Sequence, residues 1–251
     1  LARRRAGIGF WPTDAAFRQG PVTFLLLVPV AAVVYLASWT GWLVTDGGYS
    51  RHSAENAFAS LWEYHVAIYN FHVGLSSPHA YESPAWAWPL LIRPTWMHWS
   101  MTAQGVDGCT SAGGCAESIS SVPNPLIWFA AVVAVLWLLY RFIVSRDGRY
   151  GFILTGVVVT YVPWLLYPER TIFQFYTISI LPFMLLALAF ALRDIAVGGA
   201  ERPEHTQSGR WVVTVFLGMA VLVSAFFYPV WAGWEIPYDF WRLHNWMPTW
   251  V

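Results

Sequence analysis

The sequence predicts an all-α polytopic membrane protein, and three observations lead to this fold class. Of its 251 residues, 57% are hydrophobic and only 11% are charged, whereas about a quarter of a soluble domain is charged. Several apolar runs reach the roughly 20 residues that a helix needs to cross the bilayer core. Arginines are concentrated in some of the segments between these runs and are sparse in the others, as expected for the two sides of a membrane.

Five apolar runs define five predicted transmembrane helices in a single membrane domain over residues 1–251. The runs lie at about 22–44, 126–144, 152–167, 173–192 and 211–228. Between and after them we predict an external loop at 45–125 and an external C-terminal tail at 229–251. Because the chain begins with Leu and has an odd number of spans, we expect it to be the C-terminal part of a larger polytopic protein.

The arginines predict which segments face the cytoplasm, because cytoplasmic loops carry an excess of basic residues. The chain has no lysine, so arginine alone gives this signal. The predicted cytoplasmic arginines are Arg3, Arg4, Arg5, Arg18, Arg141, Arg146, Arg149, Arg193, Arg202 and Arg210. The predicted external ones are Arg51, Arg93, Arg170 and Arg242. The N-terminus of this chain is therefore predicted to be cytoplasmic and the C-terminus external.

An amphipathic helix is predicted at the start of the external loop, over residues 54–73. Its apolar residues recur at helical spacing; they are Phe58, Leu61, Trp62, Val66, Tyr69 and Val73. Because this helix closely follows a span and carries Trp and Tyr, we expect it to lie in the membrane interface.

Charge and cysteine content limit the possible ligands. The formal net charge is zero, and no basic run is long enough to indicate a nucleic-acid partner. The two cysteines, Cys109 and Cys115, lie in the predicted external loop, where an oxidising compartment favours a disulfide over a reactive pair. No motif with metal-ligand spacing occurs, so we expect no metal site.

Residues 79–94 have an unusual composition for a connector, with several aromatic residues, one His and one Arg. The indoles of Trp86 and Trp88 fit either an aromatic belt at the headgroup level or a ligand platform. Arg93 lies among apolar residues and needs an anionic partner. Either a lipid-linked phosphate or an ordinary phospholipid headgroup would meet that need.

The turn between the third and fourth predicted spans carries Glu169 and Arg170. It is too short to leave the membrane surface, so both residues are expected where the fourth helix begins. The free N–H groups of a helix start and a guanidinium together favour a phosphate. The alternative is a topology anchor or a salt bridge to another loop.

In their order and predicted topology, these segments resemble the C-terminal half of bacterial protein O-mannosyltransferases. The resemblance covers nearly the whole chain. It is carried by Ser60–Trp62, Tyr69–His72, His79–Ser83, Trp88–Pro94, the Cys109/Cys115 loop with Asn124-Pro125, Pro168–Tyr176 and Tyr228–Tyr238.

The resemblance implies a GT-C type glycosyltransferase of the bacterial plasma membrane. Such an enzyme moves mannose from a polyprenyl-phosphate carrier to Ser or Thr hydroxyls of secreted proteins at the outer face, without a cofactor. It implies donor-phosphate contact by Arg170 and then Arg93, with Glu169 orienting Arg170. It also implies an acceptor and sugar cleft shaped by His79, Tyr81, Ser83, Trp86 and Trp88.

Two departures from the family pattern are visible. The family usually has His-Pro-Tyr where this chain has His79-Ala80-Tyr81. The family's catalytic acidic pair lies in its N-terminal half, and no segment here matches it, so we expect this chain alone to be inactive. Its expected partners are the bilayer, that N-terminal half, the donor lipid, Ser/Thr-rich acceptors and the secretion channel. The alternatives are a GT-C transferase acting on cell-wall glycans and a non-catalytic membrane subunit.

Overall fold

The computed structural model describes residues 6–7, 11–197 and 203–251, and its internal contacts form two compact units. Residues up to Leu75 belong to the first unit and residues from Ser76 onward to the second. Four arginines used to predict the topology lie outside the described residues; they are Arg3, Arg4, Arg5 and Arg202. The single membrane domain and the assignment of the two sides stay predictions.

The first unit consists of helices. Helix α1 (Trp11–Asp14) continues through a π-helical turn (Ala15–Gln19) into α2 (Gly20–Ser38), and α3 (Thr40–Val44) follows a break at Trp39. The 27 residues from Pro12 to Ser38 are long and apolar enough to cross a membrane. The first predicted span therefore begins earlier than its predicted start.

Helix α4 (Ala57–Gly74) forms where the sequence predicts an amphipathic helix. Asn56 caps it, because the Asn56 side chain accepts a hydrogen bond from Ala59 N–H at 3.0 Å. The helix packs on α3 within the first unit, where the Tyr64 ring stacks on the Trp42 ring. Its location in the membrane interface stays a prediction.

Four long helices dominate the second unit; they are α5 (Pro125–Ser145), α6 (Gly148–Leu165), α7 (Leu181–Val197) and α8 (Pro203–Ala232). In α5 and in residues 207–232 of α8, length and composition suffice to cross a membrane. Helices α6 and α7 have 18 and 17 residues, or about 27 and 26 Å. They lie where the third and fourth spans were predicted, but the count of five spans stays a prediction.

The fourth predicted helix begins later than the sequence indicated. We predicted a start at residue 173, but a 3₁₀ segment occupies Gln174–Ser179 and α7 begins at Leu181. The Gln174 side chain is buried and accepts a hydrogen bond from Ser121 Oγ at 3.1 Å. Pro182, at the second position of α7, favours a helix start there because proline fits the first helical turn.

A small antiparallel sheet corrects the all-α prediction. Strands β1 (Trp96–Thr102), β2 (Cys115–Ser120) and β3 (Ile236–Pro237) pair in the order β1-β2-β3. Helix α9 (Tyr238–Arg242) follows β3. Cys109 and Cys115 form a disulfide with an S–S distance of 2.10 Å, which closes the loop before β2. The sheet thus joins the predicted external loop to the C-terminal tail.

Tryptophan side chains connect the loops around this sheet. Their indole N–H groups donate to backbone carbonyls far away in the sequence. The bonds run from Trp96 to Trp250, from Trp128 to Pro89, from Trp231 to Val122 and from Trp250 to Leu91. Because a buried indole N–H needs an acceptor, these bonds fix the paths of the loops as well as filling the core.

Candidate functional site

Two loops of the second unit enclose a pocket of about 400 Å³. One loop precedes the 3₁₀ segment at Ala85–Leu90, and the other is the turn between α6 and α7. The lining residues are Ser76, Pro78, Glu82, Ser83, Pro84, Pro168, Glu169, Arg170, Thr171 and Ile172. We call this space the Arg170 pocket.

Two hydrogen bonds hold the walls of the Arg170 pocket together. Ser83 N–H donates to the Ile172 carbonyl at 2.8 Å, and Thr171 Oγ1 donates to the Ser77 carbonyl at 2.6 Å. The bonds cross between the two loops in opposite directions, and Ser83, Thr171 and Ile172 are all buried. The charged side chains of the pocket are therefore carried on a fixed frame, as a binding site requires.

Arg170 lies against the Trp164 ring, with its guanidinium carbon 5.3 Å from the ring centroid. This cation–π contact holds the guanidinium of this lining residue beside the Trp164 ring. Glu169 is an exposed lining residue. The helix start predicted beside Arg170 is absent, since α7 begins only at Leu181. Any phosphate contact here depends on the side chain and not on a helix start.

Ser83 is a lining residue whose hydroxyl is buried. Ser83 is 1% exposed, and its Oγ has no hydrogen-bond partner among the described residues. A buried hydroxyl without a partner costs free energy unless a ligand or water satisfies it. Of the predicted cleft residues, Ser83 is the one that the structure places on the Arg170 pocket lining.

His79 and Glu82 shape the turn that leads to Ser83. Glu82 N–H donates to the His79 carbonyl at 2.9 Å, while the Glu82 carboxylate accepts from His79 N–H at 3.3 Å. His79 Nδ1 accepts from Tyr81 N–H at 3.1 Å, which leaves the proton of a neutral ring on Nε2. The His79 ring also packs on Phe173. His79 thus stabilises the turn, although it is not on the pocket lining.

The structure separates the two predicted cleft tryptophans. Trp88 is completely buried, packs against Tyr161, Trp164 and Tyr176, and donates its indole N–H to the Ser83 carbonyl at 2.8 Å. Trp86 is 62% exposed and does not line the pocket. Trp88 therefore supports the loop that carries Ser83, and the predicted role of both tryptophans in shaping the acceptor cleft stays a prediction.

Arg93 has a structural position away from the Arg170 pocket. It donates to the Ala80 carbonyl at 3.1 Å, the Thr249 carbonyl at 2.8 Å and the Val251 carbonyl at 2.6 Å. Its guanidinium carbon lies 5.1 Å from the Tyr81 ring centroid. Carbonyl oxygens thus meet the need for an acceptor that the sequence left open between two kinds of phosphate.

Replacing Arg93 with alanine is expected to loosen residues 248–251, because their carbonyls lose a charged donor. We expect the free energy of unfolding to fall by about 1–3 kcal/mol. Hydrogen exchange of the tail in detergent-solubilised protein would measure this, with Arg242→Ala on the exposed surface as the control. Unchanged tail protection together with weaker donor binding would show that Arg93 contacts phosphate instead.

Glu82 is the charged residue of the pocket lining to which the sequence analysis gave no role. Like Glu169, it is an acidic residue of the lining that also carries Arg170. One feature of the sequence could have identified Glu82 as a site residue: it is the one acidic residue in the stretch 79–94. The pocket lining therefore carries one cation, two carboxylates and the hydroxyl residues Ser76, Ser83 and Thr171, a combination suited to hydrogen-bonding a polar ligand.

Comparison with known proteins finds one family across most of the chain. The family described as "C-terminal four TMM region of protein-O-mannosyltransferase" matches residues 57–250. These residues include the last four predicted spans and the whole Arg170 pocket.

Curated relatives share this stretch. The chain is 32% identical over 248 residues to a polyprenol-phosphate-mannose--protein mannosyltransferase of Mycolicibacterium smegmatis, covering 92% of this chain and 47% of the relative. For the protein of that name from Mycobacterium tuberculosis, the identity is 30% over 240 residues, covering 89% and 45%. The chain thus spans about half the length of these relatives.

A solved structure shares the fold. It is the S. cerevisiae protein O-mannosyltransferase Pmt1-Pmt2 complex bound to the sugar donor. The superposition has a TM-score of 0.62 at 22% identity and covers 77% of this chain and 27% of the yeast chain.

Proposed function

Because this chain belongs to the protein O-mannosyltransferase family, we propose that it forms the C-terminal half of an enzyme that mannosylates proteins. The donor is polyprenyl-phosphate mannose, and the acceptors are Ser and Thr hydroxyls of secreted polypeptides. The names of the bacterial relatives support this donor. The reaction takes place at the outer face of the bacterial plasma membrane, with the N-terminus of this chain cytoplasmic and the C-terminus external. The N-terminal half of the same enzyme completes the active site.

The reaction divides into three tasks. The acceptor oxygen attacks the anomeric carbon of mannose and passes its proton to a carboxylate, while the bond from that carbon to the phosphate oxygen breaks. The departing polyprenyl phosphate takes the bonding electrons and gains negative charge, so a positioned cation lowers the barrier. An apolar groove must also hold the polyprenyl tail. We assign the second and third tasks to this chain, and the base to the acidic pair expected in the N-terminal half.

Arg170 is the residue that we assign to the leaving phosphate, and its place in the pocket carries the proposal. The guanidinium is held against Trp164, and Arg170 lines the same pocket as Ser83, whose buried hydroxyl has no partner among the described residues. A planar guanidinium matches phosphate geometry with two parallel donors. Glu169 and Glu82 border the same space and can accept hydrogen bonds from sugar hydroxyls. Arg93 is engaged elsewhere and receives no phosphate role.

An apolar cleft close to the pocket suits the polyprenyl chain. It has a volume of about 320 Å³ between α5, α6 and α7, and Trp88, Trp128, Tyr161 and Met184 are among its lining residues. Trp88 packs on Trp164, the ring that contacts Arg170. We propose that the isoprene units nearest the phosphate enter this cleft. A lipid phosphate needs less charge neutralisation than a nucleotide diphosphate, so we expect neither a metal nor a cofactor.

The masses of secreted proteins test the proposed function. We expect proteins from cells that lack the full-length gene to lose mass increments of one hexose, and the full-length gene to restore them. Restoration by the Arg242→Ala gene serves as a matched control for pocket variants. Unchanged protein masses together with altered cell-wall sugars would overturn the proposal in favour of a glycan-directed transferase.

A further inference from the structure

We propose that the outer edge of β1 binds the acceptor polypeptide as an added antiparallel or parallel strand. The inference rests on the proposed function, because it assigns a binding surface to the acceptor of that reaction. It concerns the backbone of β1 (Trp96–Thr102), which lies at the edge of the three-stranded sheet. An extended peptide would continue the sheet on the side opposite β2.

The edge of β1 is open in the part of the chain that the structure describes. Its backbone pairs with β2 in antiparallel register, and no other described backbone segment hydrogen-bonds to it. The register is irregular between Trp96 and His98 but continuous from His98 to Thr102. In an edge strand, alternate residues direct their N–H and C=O groups away from the sheet. The regular stretch can therefore pair with about five residues of a peptide.

This edge has few of the features that usually prevent strand pairing. Natural edge strands are commonly protected by Lys, Pro or inward-pointing charges, and residues 96–102 contain no Lys, Arg, Asp, Glu or Pro. The irregular register at Trp96–His98 disfavours pairing of an added strand only at the beginning of β1. Met97, Trp99 and Met101 are 52%, 47% and 50% exposed. An uncharged, open edge with apolar side chains indicates a binding surface.

The chemistry of β1 fits an unfolded segment rich in Ser and Thr. Backbone pairing makes the same hydrogen bonds whatever the sequence of the partner, which suits an enzyme with many acceptors. Methionine side chains adapt to partners of different shape. Ser100 and Thr102 on β1 can also pair with hydroxyl side chains across the added strand.

A short hydrogen-bond path joins the start of β1 to the loop that carries Arg170. Thr95 N–H donates to Ser121 Oγ at 2.7 Å, and Ser121 Oγ donates to Gln174 Oε1 at 3.1 Å. Gln174 is buried and lies just after the lining residues Thr171 and Ile172. A peptide on β1 would thus be anchored to the same frame as the Arg170 pocket.

Backbone methylation of the peptide tests strand addition directly. A fluorescent nine-residue Ser/Thr peptide is titrated against the full-length enzyme in nanodiscs, together with two versions that are N-methylated on alternate residues. In an added strand, one set of amides faces β1 and the other faces away. We expect methylation of one set to weaken binding by roughly tenfold or more, which corresponds to about 1.4 kcal/mol. Methylation of the other set should leave the affinity within about twofold.

Protein variants locate the edge that is used. Met97→Lys/Met101→Lys should weaken binding of the unmethylated peptide, whereas Val106→Lys, at another exposed apolar position of the same hairpin, should not. Melting temperatures check that each variant is folded. Equal effects of the two methylation sets, no measurable peptide binding, or no effect of the Met97/Met101 variant would overturn the proposal.

The same samples separate this inference from the proposed function. Each is also assayed for mannose transfer from polyprenyl-phosphate mannose. Alternating methylation effects without any transfer would support the strand and contradict the assigned reaction. Transfer without alternation would support the reaction and contradict the strand.

Discussion

Replacing Arg170 with alanine in the full-length enzyme is expected to lower kcat/KM for mannosyl transfer by roughly 100-fold or more. The expected loss is large because the guanidinium would stabilise charge that develops on the phosphate as the sugar departs, and removing one such donor typically has an effect of this size. Arg170→Lys should recover only part of the rate, since an ammonium cannot form two parallel bonds. Initial rates with saturating acceptor peptide and varied donor concentration measure kcat/KM for the donor.

Two comparisons keep this result specific to the Arg170 pocket. Arg242→Ala removes an exposed arginine from α9, outside the pocket lining, and should leave the rate within about twofold. The melting temperature of Arg170→Ala shows whether the loss of rate reflects unfolding. Transfer rates and donor affinity equal to those of the unmodified enzyme would refute phosphate contact by Arg170.

Replacing Trp88 with alanine is expected to lower the free energy of unfolding by about 3–5 kcal/mol. The substitution empties a fully buried site among Tyr161, Trp164 and Tyr176, and it removes the donor to the Ser83 carbonyl. Denaturant titration in detergent micelles would measure the change. Trp86→Ala provides a control in the same 3₁₀ segment, because Trp86 is 62% exposed. We expect that control to change stability by less than about 0.5 kcal/mol. Equal losses from the two substitutions would contradict the assigned burial.

The long helices could be predicted because an apolar run of this length favours a helix by its local sequence alone. A run such as 126–144 satisfies its backbone internally and exposes apolar side chains, so little depends on distant residues. The sheet could not be predicted from local sequence in this way. Strand β1 has the sequence Trp-Met-His-Trp-Ser-Met-Thr, whose alternation is interrupted by the irregular register near Met97. Its pairing is with residues that become adjacent only after the chain folds.

The candidate site was predictable in its segments but not in the task of each residue. Composition singled out residues 79–94 and the Glu169–Arg170 turn, and the structure brings parts of both together around one pocket. Sequence could not distinguish Trp86 from Trp88, because burial depends on which side of a short 3₁₀ segment meets α6. It could not assign Arg93 either, since two of its partners are carbonyls more than 150 positions away.

The long-range bonds around Arg93 have a consequence for the order of folding. Arg93 bonds to Thr249 across 156 positions, Trp250 to Leu91 across 159, and Trp96 to Trp250 across 154. Bringing such distant residues together costs loop-closure entropy that only the completed contacts offset. The helices can form as each is synthesised, but the segment 91–96 reaches its final position only after residues 249–251 exist. In ribosome-bound chains that end before Pro248, we therefore expect native helices but a segment 91–96 that has not reached its final position.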